Sequence, residues 1–214
     1  MDVTRQRGDR GDSRGQVHVV DDETVVTMLL ARVLRRAGHR VETWNDPRTF
    51  LAQARLDPPC CLVLDVHMPG ITGTEIQARL AELELPPSIV FMSGDADVPT
   101  SVRAMKAGAV DFLQKPFANA ELVAAVEAAL AQSRAAVEAS GEVRQAQERL
   151  ARLTPREREV ADCLVRGLRS KEIAAELGTA VKTVNVHRAQ VMKKLGIRSI
   201  AELVRLVERS GAAR

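Results

Sequence analysis

The sequence predicts an α/β domain with a parallel sheet, followed by a separate domain built only of helices. Between residues 16 and 132, short apolar runs alternate five times with helical patterns, and such β-α repeats form parallel sheets covered by helices on both faces. From Leu153 onward the apolar periodicity is helical throughout. The charge also divides: residues 1–150 carry a net charge of −4, and residues 151–214 carry +7.

The strands of the first domain are predicted where a short apolar run ends at a polar residue or a turn. They span residues 16–20, 41–44, 61–64, 88–92 and 110–113. The run 61–64 is unbroken, which is typical of a strand buried on both faces. A helix follows each strand: the first ends at Gly38, the second starts at Asp46-Pro47, and the others cover about 74–80, 99–107 and 119–132.

Four helices are predicted in the second domain, at about residues 155–166, 171–177, 181–195 and 199–208. Thr154-Pro155-Arg156-Glu157 is a capping box with proline at the first helical position, and Ser199 with Glu202 repeats the box. The second and third helices, joined by residues 178–180, have the spacing of a helix-turn-helix. That spacing alone is a weak signal, because many helical hairpins bind proteins instead.

Two further segments complete the domain prediction. Residues 1–15 are polar, lack an apolar central region and are expected to be a disordered tail rather than a signal peptide. Residues 133–150 favour helix and are expected to form a helical linker, with a kink or break at Gly141 as an open alternative. The predicted limits are therefore 16–132 for the first domain and 151–214 for the second.

The composition restricts the compartment and the partners. No apolar run approaches the roughly 18–20 residues that a membrane span needs, so no membrane partner is expected. The three cysteines, Cys60, Cys61 and Cys163, fit neither a disulfide framework nor a zinc site, which favours buried thiols in a reducing cytoplasm. The basic second domain suggests that only this end of the chain meets a polyanion, unless the charge is chance surface charge.

Polar side chains stand where four of the predicted strands end. Asp21 and Asp22 follow the first strand, Asp65 the third, Ser93 the fourth and Lys115 the fifth. Ligands of such sheets bind beyond the carboxyl ends of the strands, so these side chains should converge there. Gathered carboxylates need a cation and suit Mg²⁺, after which one of them can attack a phosphoryl group while the lysine and hydroxyl stabilise its oxygens.

The segments that carry these residues resemble the receiver domains of bacterial two-component response regulators. They are Val19-Val20-Asp21-Asp22-Glu23, Leu62-Val63-Leu64-Asp65-Val66-His67-Met68-Pro69-Gly70, Met92-Ser93-Gly94 and Asp111-Phe112-Leu113-Gln114-Lys115-Pro116-Phe117. The resemblance covers residues 16–132 and implies a flavodoxin-like sheet of strand order 2-1-3-4-5.

The same resemblance implies a role for each residue of the acidic cluster. Asp65 would be the phosphoacceptor. Asp22 and Asp65 would bind Mg²⁺ together with the main-chain carbonyl of His67, and Asp21 would act through a water. Lys115 would pair with the phosphate, and its bond to Pro116 is expected to be cis.

Ser93 and Phe112 occupy the positions of the family's hydroxyl and aromatic switch, although plain core packing would also explain Phe112. Two positions depart from the commonest pattern: His67 stands where arginine is frequent, and Asp95 stands where histidine often follows Ser-Gly. A carboxylate at position 95 could alter phosphorylation or dephosphorylation, but an ordinary exposed loop aspartate is the simpler interpretation.

The helix predicted at 181–195 has an apolar face of Val184, Val191 and Leu195. Its opposite side carries residue types that can read bases, and Arg188 and Lys194 flank that side and suit contacts with the DNA backbone. The residues expected to contact DNA are Lys182, Thr183, Asn185, Val186, Arg188, Ala189 and Lys193. The strings Leu153 to Val160, Lys171-Glu172-Ile173-Ala174 and Lys182 to Gly196 resemble the LuxR-type DNA-binding domain, and with the receiver they resemble the FixJ/NarL class. Ala180 replaces the usual Ser or Thr cap, so the cap shifts to Thr179 or is absent.

The resemblance implies a transcription regulator that a sensor histidine kinase phosphorylates on Asp65 and that binds promoter DNA, with homodimer formation when phosphorylated and RNA polymerase as a further partner. One alternative is an aspartate-nucleophile phosphohydrolase, which normally has a second Asp two residues after the nucleophile, where this chain has His67. The other is a DNA-binding protein with a vestigial receiver, which the complete set of pocket residues disfavours. The chain is therefore expected not to be an enzyme, apart from slow self-dephosphorylation.

Overall fold

The computed structural model describes residues 15–94 and 98–211 of the chain. It divides into two compact units, with the division between Val137 and Glu138. The expectations for the first 14 residues and for Asp95 lie outside the described residues.

The first unit is built on a five-stranded sheet, whose strands are β1 (Gln16–Val20), β2 (Arg40–Trp44), β3 (Cys60–Asp65), β4 (Ser88–Ser93) and β5 (Asp111–Gln114). Neighbouring strands are parallel and lie in the order β2-β1-β3-β4-β5, as predicted. Every residue of β3 and β4 is buried, which accounts for their unbroken apolar runs. The register places Asp65 beside Met92, so β3 and β4 end together.

Helices cover both faces of the sheet: α1 (Thr24–Arg36), α2 (Pro47–Gln53), α3 (Gly73–Leu80), α4 (Val98–Lys106) and α5 (Asn119–Ala151). Alternate strand residues point to opposite faces, so Val19 and Val63 pack in one apolar layer with α1 and α5. Leu62 and Leu64 pack in a second layer with α2, α3 and α4. Apart from α5, the predicted bounds of these elements agree with the observed ones to within a few residues. Helix α5 was predicted to end at about residue 132, but it reaches Ala151.

Helix α5 continues without interruption through Gly141, so the open alternative of a break there is wrong. One glycine costs a helix only about 1 kcal/mol, and its neighbours are mostly good helix formers. In the first unit, Ser133 of α5 is buried and its hydroxyl accepts the Cys60 N–H at 3.0 Å. In the second unit, Ala146 and Leu150 of α5 belong to the apolar core.

The second unit adds four helices, α6 (Pro155–Val165), α7 (Ser170–Glu176), α8 (Val181–Leu195) and α9 (Ile200–Arg209). The capping box of Thr154 and Glu157 is present, as predicted. The Ser199 box is only half formed: its hydroxyl accepts the Glu202 N–H, but the Glu202 carboxylate accepts the Arg198 N–H instead. Ala180 is the N-cap of α8 and provides no side-chain hydrogen bond, so the cap is absent.

Three other expectations concern local features. The Lys115–Pro116 bond is cis as expected, and Pro58–Pro59 is a second cis bond that the sequence did not predict. All three cysteines are free and buried, as predicted. Among the residues that the structure describes, no helix is both long enough and apolar enough to cross a membrane.

Candidate functional site

An open cleft of about 230 Å³ lies at the carboxyl ends of the strands in the first unit. It is lined by Asp21, Asp22, Glu23, Asp65, His67, Gly94 and Lys115. Four of these residues, Asp21, Asp22, Asp65 and Lys115, are the predicted carboxylates with their lysine, although they come from three separate parts of the chain. They meet because β1, β3 and β5 are parallel and end at the same edge of the sheet.

Asp65 is held at both carboxylate oxygens. Its Oδ1 accepts from the Lys115 ammonium at 2.7 Å, and its Oδ2 accepts the His67 N–H at 2.7 Å. The side chain is nearly buried, and this burial raises the pKa of Asp65 even though Lys115 and the His67 N–H favour the charged form. The result is a carboxylate more basic than usual, held in a fixed orientation and reachable through the cleft.

Lys115 joins Asp65 to Asp21, since its Nζ lies 2.8 Å from Asp21 Oδ2. Burial acts to lower the pKa of Lys115, but the hydrogen bonds to the two carboxylates outweigh it and leave the pKa raised. Asp21 is 1% exposed, and its Oδ1 also accepts the Glu23 N–H at 2.9 Å. These contacts make one connected polar group at the base of the cleft.

The carboxylates of the cleft have the oxygen chemistry that Mg²⁺ prefers. Asp22 is exposed at the cleft, whereas Asp21 and Asp65 share the Lys115 ammonium. Within residues 15–94 and 98–211, no three acidic, histidine or cysteine side chains are gathered closely enough to hold a metal ion. The chemical type of these oxygen donors fits Mg²⁺. In this structure, however, the Asp21 and Asp65 carboxylates are arranged around the Lys115 ammonium.

Ser93 and Phe112 are the two predicted pocket residues that do not line the cleft in the described part of the chain. Ser93 is buried at the end of β4, and its carbonyl accepts the Lys115 N–H at 2.7 Å. Phe112 is half-buried beside Phe91, with 6.3 Å between the ring centroids. Ser93 thus adjoins the lysine through the main chain, and Phe112 packs against the second apolar layer.

Gly73 is a site residue that the sequence reasoning missed. A Cβ atom at this position would lie 2.3 Å from the Asp65 carbonyl oxygen and 3.0 Å from the Phe91 ring. Its N–H donates to the carbonyl of Val66 at 3.0 Å, so the start of α3 lies directly against the loop after Asp65. No local pattern marks this glycine, because the requirement comes from a tertiary contact.

In the second unit, α8 buries Val184, Val191 and Leu195, the predicted apolar face. Six of the seven predicted DNA-contacting residues are exposed, and the seventh, Arg188, is half-buried. Val186 is 54% exposed, a large fraction for an apolar side chain. The helix therefore presents a mixed basic, amide and small apolar surface, here called the reading surface and defined by Lys182, Thr183, Asn185, Val186, Arg188, Ala189 and Lys193.

Two contacts of α8 were not predicted. Lys194 donates to the buried carboxylate of Glu157 at 2.7 Å, so it is engaged within the unit rather than presented for a backbone contact. The hydrogen bond from Lys194, with those from Thr154, lowers the pKa of Glu157 to about 2. On the reading surface, the Ser170 hydroxyl donates to Asn185 Oδ1 at 2.9 Å.

Comparison with protein families gives two matches. Residues 17–127 match the response regulator receiver domain, and residues 151–207 match the bacterial regulatory proteins of the luxR family. Nodulation protein W of Bradyrhizobium diazoefficiens is 42% identical over 195 residues, which cover 91% of this chain and 86% of the relative. The transcriptional regulatory protein FixJ of the same organism is 39% identical over 199 residues, which cover 93% and 97%.

Solved structures of response regulators are also similar to this chain. The response regulator StyR is 44% identical and superposes with a TM-score of 0.80, covering 92% of this chain and 99% of that one. Full-length FixJ from B. japonicum is 38% identical with a TM-score of 0.55, covering 94% and 99%. The similarity extends over both units of the chain.

Proposed function

The chain belongs to the response regulators that join a receiver to a LuxR-type DNA-binding domain, and from this premise we propose that phosphorylation of Asp65 controls DNA binding by the reading surface. The observation that carries the proposal is the Asp65 carboxylate at the carboxyl end of β3, fixed by Lys115 and by the His67 N–H inside an open acidic cleft.

In the proposed reaction, a carboxylate oxygen of Asp65 attacks the phosphorus of a phosphorylated histidine on the sensor kinase. The bond from phosphorus to the imidazole nitrogen breaks, and Asp65 becomes an acyl phosphate. The raised pKa of Asp65 favours attack, because a more basic carboxylate is a better nucleophile. The cleft would also admit a small donor such as acetyl phosphate.

Lys115 has two tasks in this proposal. Before the reaction it balances the charges of Asp21 and Asp65, which are both nearly buried. Afterwards its ammonium pairs with the new phosphoryl oxygens, with the Ser93 hydroxyl as a second donor. Charge stabilisation of this kind is the main contribution a protein makes to phosphoryl transfer.

The residues that would hold Mg²⁺ are Asp22 and Asp65 through their carboxylates, His67 through its main-chain carbonyl, and Asp21 through a water. When bound, the cation would neutralise charge on the transferring phosphoryl group. Asp22 supports this assignment because its carboxylate is exposed at the cleft. The domain acts as a phosphoryl acceptor rather than as an enzyme that turns over a substrate, with slow self-dephosphorylation.

The reading surface of α8 would enter the major groove of promoter DNA. Its exposed Lys182 and Lys193 suit phosphate or guanine, Asn185 suits adenine, and Val186 suits a thymine methyl group. Thr183, Arg188 and Ala189 complete the contact. Phosphorylation would bias an equilibrium between two receiver states, and one of these states would favour a homodimer. This homodimer would act in the cytoplasm, with RNA polymerase as a further partner.

The test treats the full chain with acetyl phosphate and Mg²⁺ and locates the added phosphoryl group by mass spectrometry. Asp65→Asn should abolish labelling. Asp57→Asn, an exposed aspartate just before β3, should be labelled like the unsubstituted protein. Binding to DNA chosen from a random pool should be tighter after labelling, and this gain should be absent in Asp65→Asn.

Two results would contradict the proposal. Labelling of Asp65→Asn at the normal rate would place the phosphoryl group elsewhere. Equal DNA affinity with and without the phosphoryl group would remove the control of DNA binding, even if Asp65 were the acceptor.

A further inference from the structure

Asn185 lies on the reading surface of α8, yet its amide is bonded to a side chain of the preceding helix. The Ser170 hydroxyl donates to Asn185 Oδ1 at 2.9 Å. Ser170 is the first residue of α7 and Asn185 lies in the second turn of α8. The pair meets because α7 and α8 pack against each other, and Ile173 of α7 and Val184 of α8 are both fully buried in the same apolar core.

This hydrogen bond restricts an asparagine side chain that is otherwise exposed. A hydroxyl can donate to an amide oxygen or accept from an amide nitrogen, and here the Ser170 hydroxyl donates to Oδ1. The contact holds the Asn185 side chain towards α7 and limits the positions that it can adopt. The oxygen keeps one lone pair and the nitrogen keeps both N–H groups.

The remaining acceptor and donor match one base edge in particular. Adenine presents an N6 amino donor beside its N7 acceptor in the major groove, and an amide held in one orientation can bind both. The Ser170–Asn185 bond is exposed to water in the free protein, where such a bond is weak. DNA in the groove would exclude that water, so the bond would matter most when the protein is bound.

We propose that Ser170 is a positioning residue that holds the Asn185 side chain in place for its base contact and thereby strengthens the preference for adenine at one base pair of the operator. The proposal rests on the proposed function, since it requires α8 to bind DNA. Ser170 itself contacts no base in this arrangement, and it acts through Asn185.

The experiment uses the full chain after treatment with acetyl phosphate and Mg²⁺. Selection from random DNA gives the preferred site, and affinity is then measured for duplexes that carry each of the four base pairs at each position. Asn185→Ala identifies the position that Asn185 reads, where discrimination should fall by roughly 5- to 100-fold. Ser170→Ala should lose about 2- to 10-fold of discrimination at that same position.

Two variants provide the controls. Ser170→Thr keeps the hydroxyl and should keep the adenine preference. Thr179→Ala removes a hydroxyl from the turn between α7 and α8 and should leave the preference unchanged. Far-UV circular dichroism of each variant checks that the fold is retained.

The possible results separate the inference from the proposed function. If Ser170→Ala weakens binding equally for all four base pairs, Ser170 is only a phosphate or packing contact and the inference is overturned. If Asn185→Ala changes no base preference, Asn185 is not a reader and the inference fails while DNA binding stands. If the phosphorylated protein binds no DNA, the proposed function fails first and the inference fails with it.

Discussion

The acidic cleft and the reading surface are assembled in different ways. The cleft takes residues from the ends of β1, β3 and β5, and its central side chains, Asp21 and Asp65, are nearly buried and share one ammonium. The reading surface takes all its residues from one helix, and most of them are exposed. Side chains in the cleft depend on one another, whereas those on the helix are largely independent, apart from Asn185.

This difference sets the expected response to substitution. In a connected polar group, removing one member leaves the others buried without partners, so one change affects the whole site. On an exposed helix face, each side chain contributes its own contact, and changes at separate positions should add. Variants of each kind test this contrast.

Lys115→Met should give the largest effect. The substitution leaves the Asp21 and Asp65 carboxylates without their shared cation and removes the proposed donor for the phosphoryl oxygens. We expect the rate of labelling by acetyl phosphate to fall by about 10²- to 10³-fold. Lys106→Met, an exposed lysine at the end of α4, is the matched control and should be labelled normally. Labelling of Lys115→Met at the normal rate would show that the cleft does not work as a unit.

Gly73→Ala tests whether the backbone beneath Asp65 is as constrained as its side chain. The added Cβ would approach the Asp65 carbonyl oxygen to 2.3 Å, so either α3 or the loop after β3 must move. We expect a loss of about 1–3 kcal/mol in the stability of the receiver together with slower labelling. Denaturant unfolding followed by the fluorescence of Trp44, the one tryptophan of the sequence, measures the stability.

Gly141→Ala is the control for Gly73→Ala. A Cβ at Gly141 meets no heavy atom within 4 Å, and this glycine lies within α5. Because alanine favours helix more than glycine does, the variant should be about 0.5–1 kcal/mol more stable, with normal labelling. Equal effects of the two alanines would mean that the close approach at Gly73 is not a real constraint.

The cleft could be predicted in part from the sequence, for a topological reason. Asp21, Asp65 and Lys115 each end a recognisable strand, and parallel strands bring those ends together. The packing around them could not be predicted: Gly73 is required by a backbone approach that appears only when α3 meets β3. The hydrogen bonds from Asn45 to the Asp21 carbonyl and to Thr27 likewise join residues with no shared local pattern.

Lys182→Ala tests the independence of the reading surface. Lys182 is exposed in the first turn of α8, and a lysine that contacts one phosphate releases about one counterion on binding. The slope of log affinity against log salt should become shallower by about 0.9, with the affinity lowered alike for all DNA sequences. Labelling of Asp65 should not change. An unaltered salt slope would exclude Lys182 from the DNA contact.

For α8, the sequence predicts which residues are buried and which are exposed, but not which side chains of other helices contact them. The 3.6-residue periodicity of α8 correctly separates the buried Val184, Val191 and Leu195 from the exposed residues. Periodicity does not reveal the partners that other helices supply. Lys194 was expected to be available for the DNA backbone, yet α6 provides Glu157 as its partner.

Glu157→Gln should give the smallest effect at neutral pH and a distinct one in acid. The pKa of Glu157 is about 2 in the folded protein against an ordinary value of 4.5. The unfolded chain therefore binds a proton more readily than the folded one between these values, so the carboxylate stabilises the fold above pH 4.5 and loses this contribution as the pH falls towards 2. Glutamine cannot titrate, so the variant should lose less stability over this range than the unsubstituted protein.

Far-UV circular dichroism follows α6 to α9 together with the receiver, while Trp44 fluorescence reports the receiver alone and should respond identically in both proteins. Identical acid profiles in circular dichroism would mean that Lys194 is not held by Glu157 and is available to the DNA backbone, which would enlarge the reading surface by one residue.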